Sequence, residues 1–311
     1  MDRRQFAGTL GAVGAGLVIP RRPVADPLPT RRLGRTNLDL PILSLGGSHL
    51  SRAPSERAAR TLVETALQEG IRFFDTAESY GDGRSERWLG AALRGARDGV
   101  MLMSKTFAFP ARTAESARRH LEGTLERLQT DRLDLWQLHS VRSVADADRA
   151  FGSGGAMEYI LEAKAQGIVR YVGVTGHVSP AAQRRALDYW DRGIRFDAMQ
   201  MPLNPMDFHQ QSFEREVLPE LVRRGIGVIA MKTSADGRLL RQRICTIAEC
   251  LRYVWSLPVA VAVVGMERPE LVQQNAALAR GFRPMSAPEL DGLRQRIRPR
   301  AGLDLEWYKR G

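Results

Sequence analysis

Residues 55–75 read SERAARTLVETALQEGIRFFD, and they contain one whole unit of the fold. Ala58, Leu62, Thr65, Ala66 and Glu69 fall near i, i+4, i+7 and i+8, which predicts a helix with a mostly apolar stripe facing a sheet. Ser55 stands where a capping hydroxyl accepts from the first turn, and Gly70 stands where a helix ends in left-handed backbone. The short apolar run Phe73, Phe74, Asp75 then reads as a strand.

Outward from this stretch the same alternation recurs. Strand candidates fall at residues 42–45, 73–75, 100–104, 133–139, 169–174, 198–201, 227–231 and 259–265. Amphipathic intervals separate them, with start signals at Thr113 and at Ser179-Pro180 and stop signals at Gly167, Gly193 and Gly225. The last run, VAVAVVG, is apolar throughout, as a parallel strand covered on both faces must be. Eight such β/α units predict a single-domain α/β protein, a closed (β/α)8 TIM barrel, with an open doubly wound sheet as the alternative. Residues 31–42, RRLGRTNLDLPI, are expected to form a hairpin across the barrel bottom.

Composition agrees with one soluble globular body. The 311 residues are 43% hydrophobic and 26% charged, unlike disordered, collagenous or membrane chains. The formal charge is +11, of which +5 sits in residues 1–35 and +6 is spread over the rest. Arg294, Arg296, Arg298 and Arg300 form the one later basic cluster, read here as a solvated tail. No aromatic-interleaved basic stripe accompanies it, so no nucleic-acid partner is expected. Cys245 and Cys250, five apart in an expected helix, are poorly spaced for a disulfide, and no metal-ligand cluster is apparent.

Residues 1–30 read as a signal-like segment ahead of the barrel at residues 31–311. Arg3-Arg4-Gln5-Phe6 precedes a short run of mild hydrophobicity ending near Pro20, the anatomy of a twin-arginine export signal. That run is too short and glycine-rich to span a bilayer, and the expected destination is the periplasm or another exported location. The alternative is a cytoplasmic protein with a basic N-terminal arm.

Barrel chemistry is built from the carboxyl ends of strands. Only a few ionisable residues stand there: Asp75 and Tyr80 after the second barrel strand, Lys105 after the third and His139 at the end of the fourth. Hydride reduction of a carbonyl makes an alkoxide, so the site needs a proton donor and fixed dipoles or charge around the oxygen. A tyrosine beside an ammonium meets the first need, its pKa drawn down by Lys105. A carboxylate such as Asp75 keeps that lysine charged when buried, and His139 orients the substrate oxygen.

Residues 70–90, GIRFFDTAESYGDGRSERWLG, followed by VMLMSKT (100–106), LDLWQLHS (133–140) and VGMERPELVQQN (264–275), resemble the aldo-keto reductase family in motif and order. The resemblance spans about residues 31–280 and implies a barrel that binds NADPH at its mouth, with Asp75, Tyr80, Lys105 and His139 as its catalytic tetrad. It also implies that Thr175 and Gln200 meet the nicotinamide carboxamide, while Gly176 lacks the amide side chain usual at its position and His177 is a substitute candidate. Met231 stands where an aromatic usually covers the nicotinamide, and Lys232 beside it is a candidate for the pyrophosphate. Gly265 leads into a helix start suited to phosphate, with Arg268, Gln274 and Asn275 as adenosine-side contacts. Glu267 opposes a phosphate, which keeps NADH as an alternative to NADPH. The expected activity is reduction of a small aldehyde or ketone to an alcohol; the alternative is a nucleotide-binding, redox-sensing barrel with little turnover. Residues 282–311, with Trp307 and Tyr308, are a candidate wall of the carbonyl pocket, with a packed tail as the alternative.

Overall fold

Residues 55–75 adopt the predicted unit in a computed structural model, which describes residues 26–107 and 112–310. Glu56–Gln68 is a helix whose N-cap, Ser55, accepts a hydrogen bond from the amide of Ala58 at 3.2 Å. Its buried face is Ala59, Leu62, Val63, Thr65 and Ala66, so the stripe is rotated slightly from the one expected. Gly70, at φ 82°, reverses the chain into the wholly buried strand Phe73–Asp75.

Two strands come first: β1 (Thr30–Arg32) and β2 (Asp39–Pro41) pair antiparallel as the expected hairpin. The barrel strands are β3 (Leu43–Gly46), β4 (Phe73–Asp75), β5 (Met101–Lys105), β6 (Leu133–Leu138), β7 (Val169–Thr175), β8 (Ala198–Pro202), β9 (Gly227–Met231) and β10 (Val261–Val264). They are parallel, follow chain order and close by pairing β10 with β3, Ala262 opposite Leu43. An open sheet is thereby ruled out.

The barrel is filled in two chemically different levels. Leu33, Leu38 and Leu40 of the hairpin region plug the bottom against Phe73, Met103, Leu135, Ile229 and Val261. Above them the side chains become polar: Gln137 Nε2 donates to Gln200 Oε1 at 3.1 Å, and Asp75 and Lys105 are buried nearby. An apolar floor under a polar mouth is what places chemistry at the carboxyl ends of the strands.

Two expectations change. The C-terminal arginines are only in part a solvated tail: Ala287–Ile297 is a helix with a capping box at Ser286 and Glu289, Arg294 pairs with Glu214 at 2.5 Å and Arg296 with Glu249 at 2.5 Å, while Arg296, Arg298 and Arg300 stay exposed. Local charge counting missed these partners because they are contributed by other helices. The cysteines do not share one helix, since Cys245 precedes the N-cap Thr246 of the helix Ile247–Ser256 that carries Cys250; both are buried and free. Among the described residues no helix is long and apolar enough to cross a membrane, and no three His, Cys, Asp or Glu are grouped to hold a metal. The segment resembling an export signal lies, up to residue 25, outside the described residues.

Candidate active site

Asp75 closes β4 and Lys105 closes β5, so strand register sets them side by side at the barrel mouth. Lys105 Nζ is bonded to Asp75 Oδ1, donates to the carbonyl of Thr76 at 2.7 Å and reaches the Tyr80 hydroxyl at 3.3 Å. Tyr80 sits in the turn before the helix Arg84–Ala92, with glycines Gly81 and Gly83 in left-handed backbone beside it. Its ring stands edge-on to His139, centroids 5.8 Å apart.

His139 lies one residue past β6, where the chain turns at Ser140 with φ 54°. Arg112 fixes that turn: its guanidinium donates to the carbonyls of His139 (2.7 Å) and Ser140 (2.9 Å) and binds Asp146 with two further bonds of 2.9 Å. The sequence reading did not single out Arg112, whose partners are up to 34 residues away.

Burial dominates the electrostatics. It pushes the Asp75 carboxyl up against the pull of Lys105, and it raises the Tyr80 phenol although Lys105 opposes. This reverses the expected lowering of Tyr80, because desolvation of a phenolate outweighs one ammonium that Asp75 already offsets. Lys105 is raised: burial lowers it, and Asp75 with Tyr80 more than compensates. His139 is held well below the ordinary histidine range by burial, then by Lys105, and is neutral near pH 7.

A cavity of about 610 Å³ opens over these four residues and runs toward the end of β10. Thr175, Gln200, Met231, Lys232, Gly265, Gln274 and Asn275 all line it. Arg268 does not. It is the exposed N-cap of the helix Pro269–Arg280, on the rim of the groove.

This geometry has relatives. The sequence model of the Aldo/keto reductase family matches residues 42–244. The chain belongs to that family. A methylglyoxal reductase of Escherichia coli (strain K12), YeaE, is 29% identical over 211 residues, covering 66% of this chain and 68% of that protein. The D-threo-aldose 1-dehydrogenase of a Pseudomonas species is 28% identical over 305 residues, covering 78% and 90%. Among solved structures, an aldo/keto reductase from Klebsiella pneumoniae in complex with NADP and acetate is 26% identical with a TM-score of 0.70, covering 86% of this chain and 94% of that one. Membership makes this chain an NAD(P)-dependent oxidoreductase of the carbonyl-reducing type.

Several features of this aldo/keto reductase escaped the sequence. Gly176 is glycine because a Cβ there would collide with the Gln183 amide and the Val141 carbonyl. Gln183, from the helix Pro180–Asp191, occupies that space and donates to Val141 O at 3.3 Å. Likewise Gly265 lies against the His49 ring, which a Cβ would overlap. Thr175 accepts from the Ser140 amide at 3.1 Å, tying the end of β7 to the turn after His139. Lys232 leans on the rings of Trp307 and Tyr308, 5.5 and 5.7 Å from its Nζ, and faces Asp236 at 3.4 Å. Arg52 and Arg241 line the groove as further cations. Neither the turn that carries Arg52 nor the short helix Arg238–Arg241 has a periodic signal, so only the folded chain reveals them.

Proposed function

We propose that this aldo/keto reductase reduces a small aldehyde or ketone with NADPH, with Tyr80 as proton donor and Asp75, Lys105 and His139 completing the site. The observation that carries this reading is the convergence of four polar residues from three successive strand ends on one cavity, in contact with one another. When bound, the reduced nicotinamide supplies the hydride. Tyr80 is a protonated phenol near neutrality and donates its proton to the oxygen as charge develops there. Lys105, 3.3 Å from that hydroxyl, steadies the phenolate left behind, and Asp75 keeps Lys105 charged. Neutral His139 offers a ring N–H to the same oxygen.

The groove suits a dinucleotide. Its volume is in the range of ligand pockets, and Asn275 Oδ1 is buried in its wall without a partner, an acceptor waiting for a donor such as an amino group. Thr175, Gln200 and Met231 would hold the nicotinamide end, Lys232 and Gly265 the middle, and Gln274 and Asn275 the adenosine. Arg268 on the rim would meet a 2'-phosphate. The complex of the Klebsiella pneumoniae relative with NADPH, 25% identical, supports this cofactor.

The test is loss of NADPH absorbance on mixing with a panel of aldehydes, ketones and quinones. Turnover of at least one class is expected; tight NADPH binding with no turnover of any would replace this reading with the regulatory binding role.

We further infer export through a twin-arginine route, supported by Arg3-Arg4-Gln5-Phe6 and the mild apolar run behind it. Fractionation of cells carrying the wild type and the Arg3→Lys, Arg4→Lys variant checks it. Cytoplasmic retention of both overturns it.

A further inference from the structure

Residues 304–310 are fastened to the barrel mouth by a buried clasp. Lys309 Nζ donates to Asp207 Oδ1 (2.7 Å), Glu306 Oε2 (2.9 Å) and the carbonyl of Gln210 (2.8 Å), and the three charged side chains have at most 1% of their surface exposed. Tyr308 donates to Glu306 Oε1 at 2.9 Å and accepts from Asn204 Nδ2 at 2.9 Å. Two successive side chains are thereby fixed: Trp307 forms part of the cavity wall, and the Tyr308 ring stacks on His177 with centroids 6.5 Å apart.

His177 is the residue this arrangement leaves unexplained. It lines the cavity beside His139, packed from behind by an aromatic ring that has no freedom to move away. Its Nδ1 is buried and has no hydrogen-bond partner. Buried polar atoms without partners are few in native proteins, and one in the wall of a binding cavity is a position a ligand completes. Burial first, then Lys232, Lys105 and Arg142, lower the imidazole pKa to about 4, so it is neutral in the working range and offers one N–H donor and one ring-nitrogen acceptor, a match for hydroxyl and carbonyl groups.

We propose that His177 is a specificity-determining residue that hydrogen-bonds a second oxygen of the substrate, close to the reacting carbonyl, so that hydroxy- or oxo-substituted carbonyl compounds are preferred over unsubstituted ones. The inference rests on the reductase reading above. The place of His177 in the same cavity wall as His139 and Tyr80 is what limits the second oxygen to the neighbourhood of the first. Tyr308 acts through His177 as a positioning residue.

The experiment compares kcat/KM for propanal and 2-hydroxypropanal, with NADPH affinity measured separately by fluorescence. Wild type should favour the hydroxylated aldehyde by about five-fold or more, the scale of one neutral hydrogen bond. His177→Leu should bring the ratio close to one, His177→Gln should keep part of the preference, and Tyr308→Leu should lower it. An unchanged ratio in His177→Leu overturns the proposal while leaving the reductase reading standing. Weaker NADPH binding with the ratio preserved also overturns it, making His177 a cofactor contact. Failure of wild type to reduce either aldehyde, or any of the wider panel, sinks the reductase reading and this proposal with it.

Discussion

Replacing Lys309 with methionine removes the one cation from a buried cluster that holds two carboxylates, Asp207 and Glu306. Taking one partner from a buried ion pair costs about 3–5 kcal/mol, because the charges left behind are uncompensated. The cheapest escape is local: residues 304–310 lift off and carry Glu306 into water. That cost then appears as a rise in the opening equilibrium of the segment, between about a hundred-fold and a few thousand-fold.

The sign of the pH dependence follows from Asp207. Burial pushes its carboxyl up to about 7 from an ordinary 3.8, with Lys309 pulling down and Glu306 pushing up. A folded state that binds a proton more readily than the unfolded one is stabilised by that proton at low pH. The stability is lost as pH rises from about 4 through about 7. Without Lys309 the carboxyl rises further, so the docked state takes up a proton at higher pH, and that proton replaces the ammonium more readily at pH 6 than at pH 8. Each pH unit over which only the variant's docked carboxyl takes a proton is worth about 1.4 kcal/mol; the wild-type carboxyl, at about 7, itself titrates over half of the interval from pH 8 to pH 6, so the penalty relative to wild type should be about 1 kcal/mol smaller at pH 6. Hydrogen exchange at the amides of Lys309 and Arg310, bonded to the carbonyls of Glu306 and Trp307, reads the opening directly once intrinsic rates are corrected. Less than a ten-fold rise in opening at pH 8, or equal opening at both pH values, would refute the reasoning.

Tyr80→Phe should leave NADPH affinity intact and lower turnover by about 100-fold or more, the scale of a lost general acid; near wild-type reduction removes Tyr80 from the role. Arg268→Ala should weaken NADPH more than NADH in paired titrations, since only NADPH carries the group that forms a charge-assisted bond. Equal losses there, with a selective loss in Arg241→Ala, would move the role to the groove-lining arginine. Gly176→Asn, which restores the residue usual at that position in the family, should destabilise by about 1–3 kcal/mol in denaturant unfolding, as overpacking does. Adding Gln183→Ala should recover part of that loss, the contact with the Val141 carbonyl remaining, and strictly additive losses would show that the two side chains do not compete for space.

The barrel was legible because each β/α unit writes its signals locally. Apolar stripes, the caps Ser55, Thr113 and Ser179, and the left-handed glycines Gly70, Gly167, Gly193 and Gly225 all sit where the structure uses them. Asp75, Tyr80, Lys105 and His139 were legible for a related reason, since a barrel turns strand ends into one ring and so converts order along the chain into nearness in space. Arg112, Gln183 and the clasp of Asp207, Glu306 and Lys309 were not, because each gets its meaning from a partner tens of residues away.

What the sequence determined by itself is therefore the set of elements, their order and the identity of the polar residues at the strand ends, all encoded in short-range periodicity and capping. Tertiary structure alone decided the charge states and the walls. Tyr80 moved up rather than down because the desolvation of a buried phenolate depends on everything packed around it. Trp307 became part of the cavity wall, with Tyr308 packed against His177 behind it, because Lys309 found two buried carboxylates, a match that no local pattern specifies.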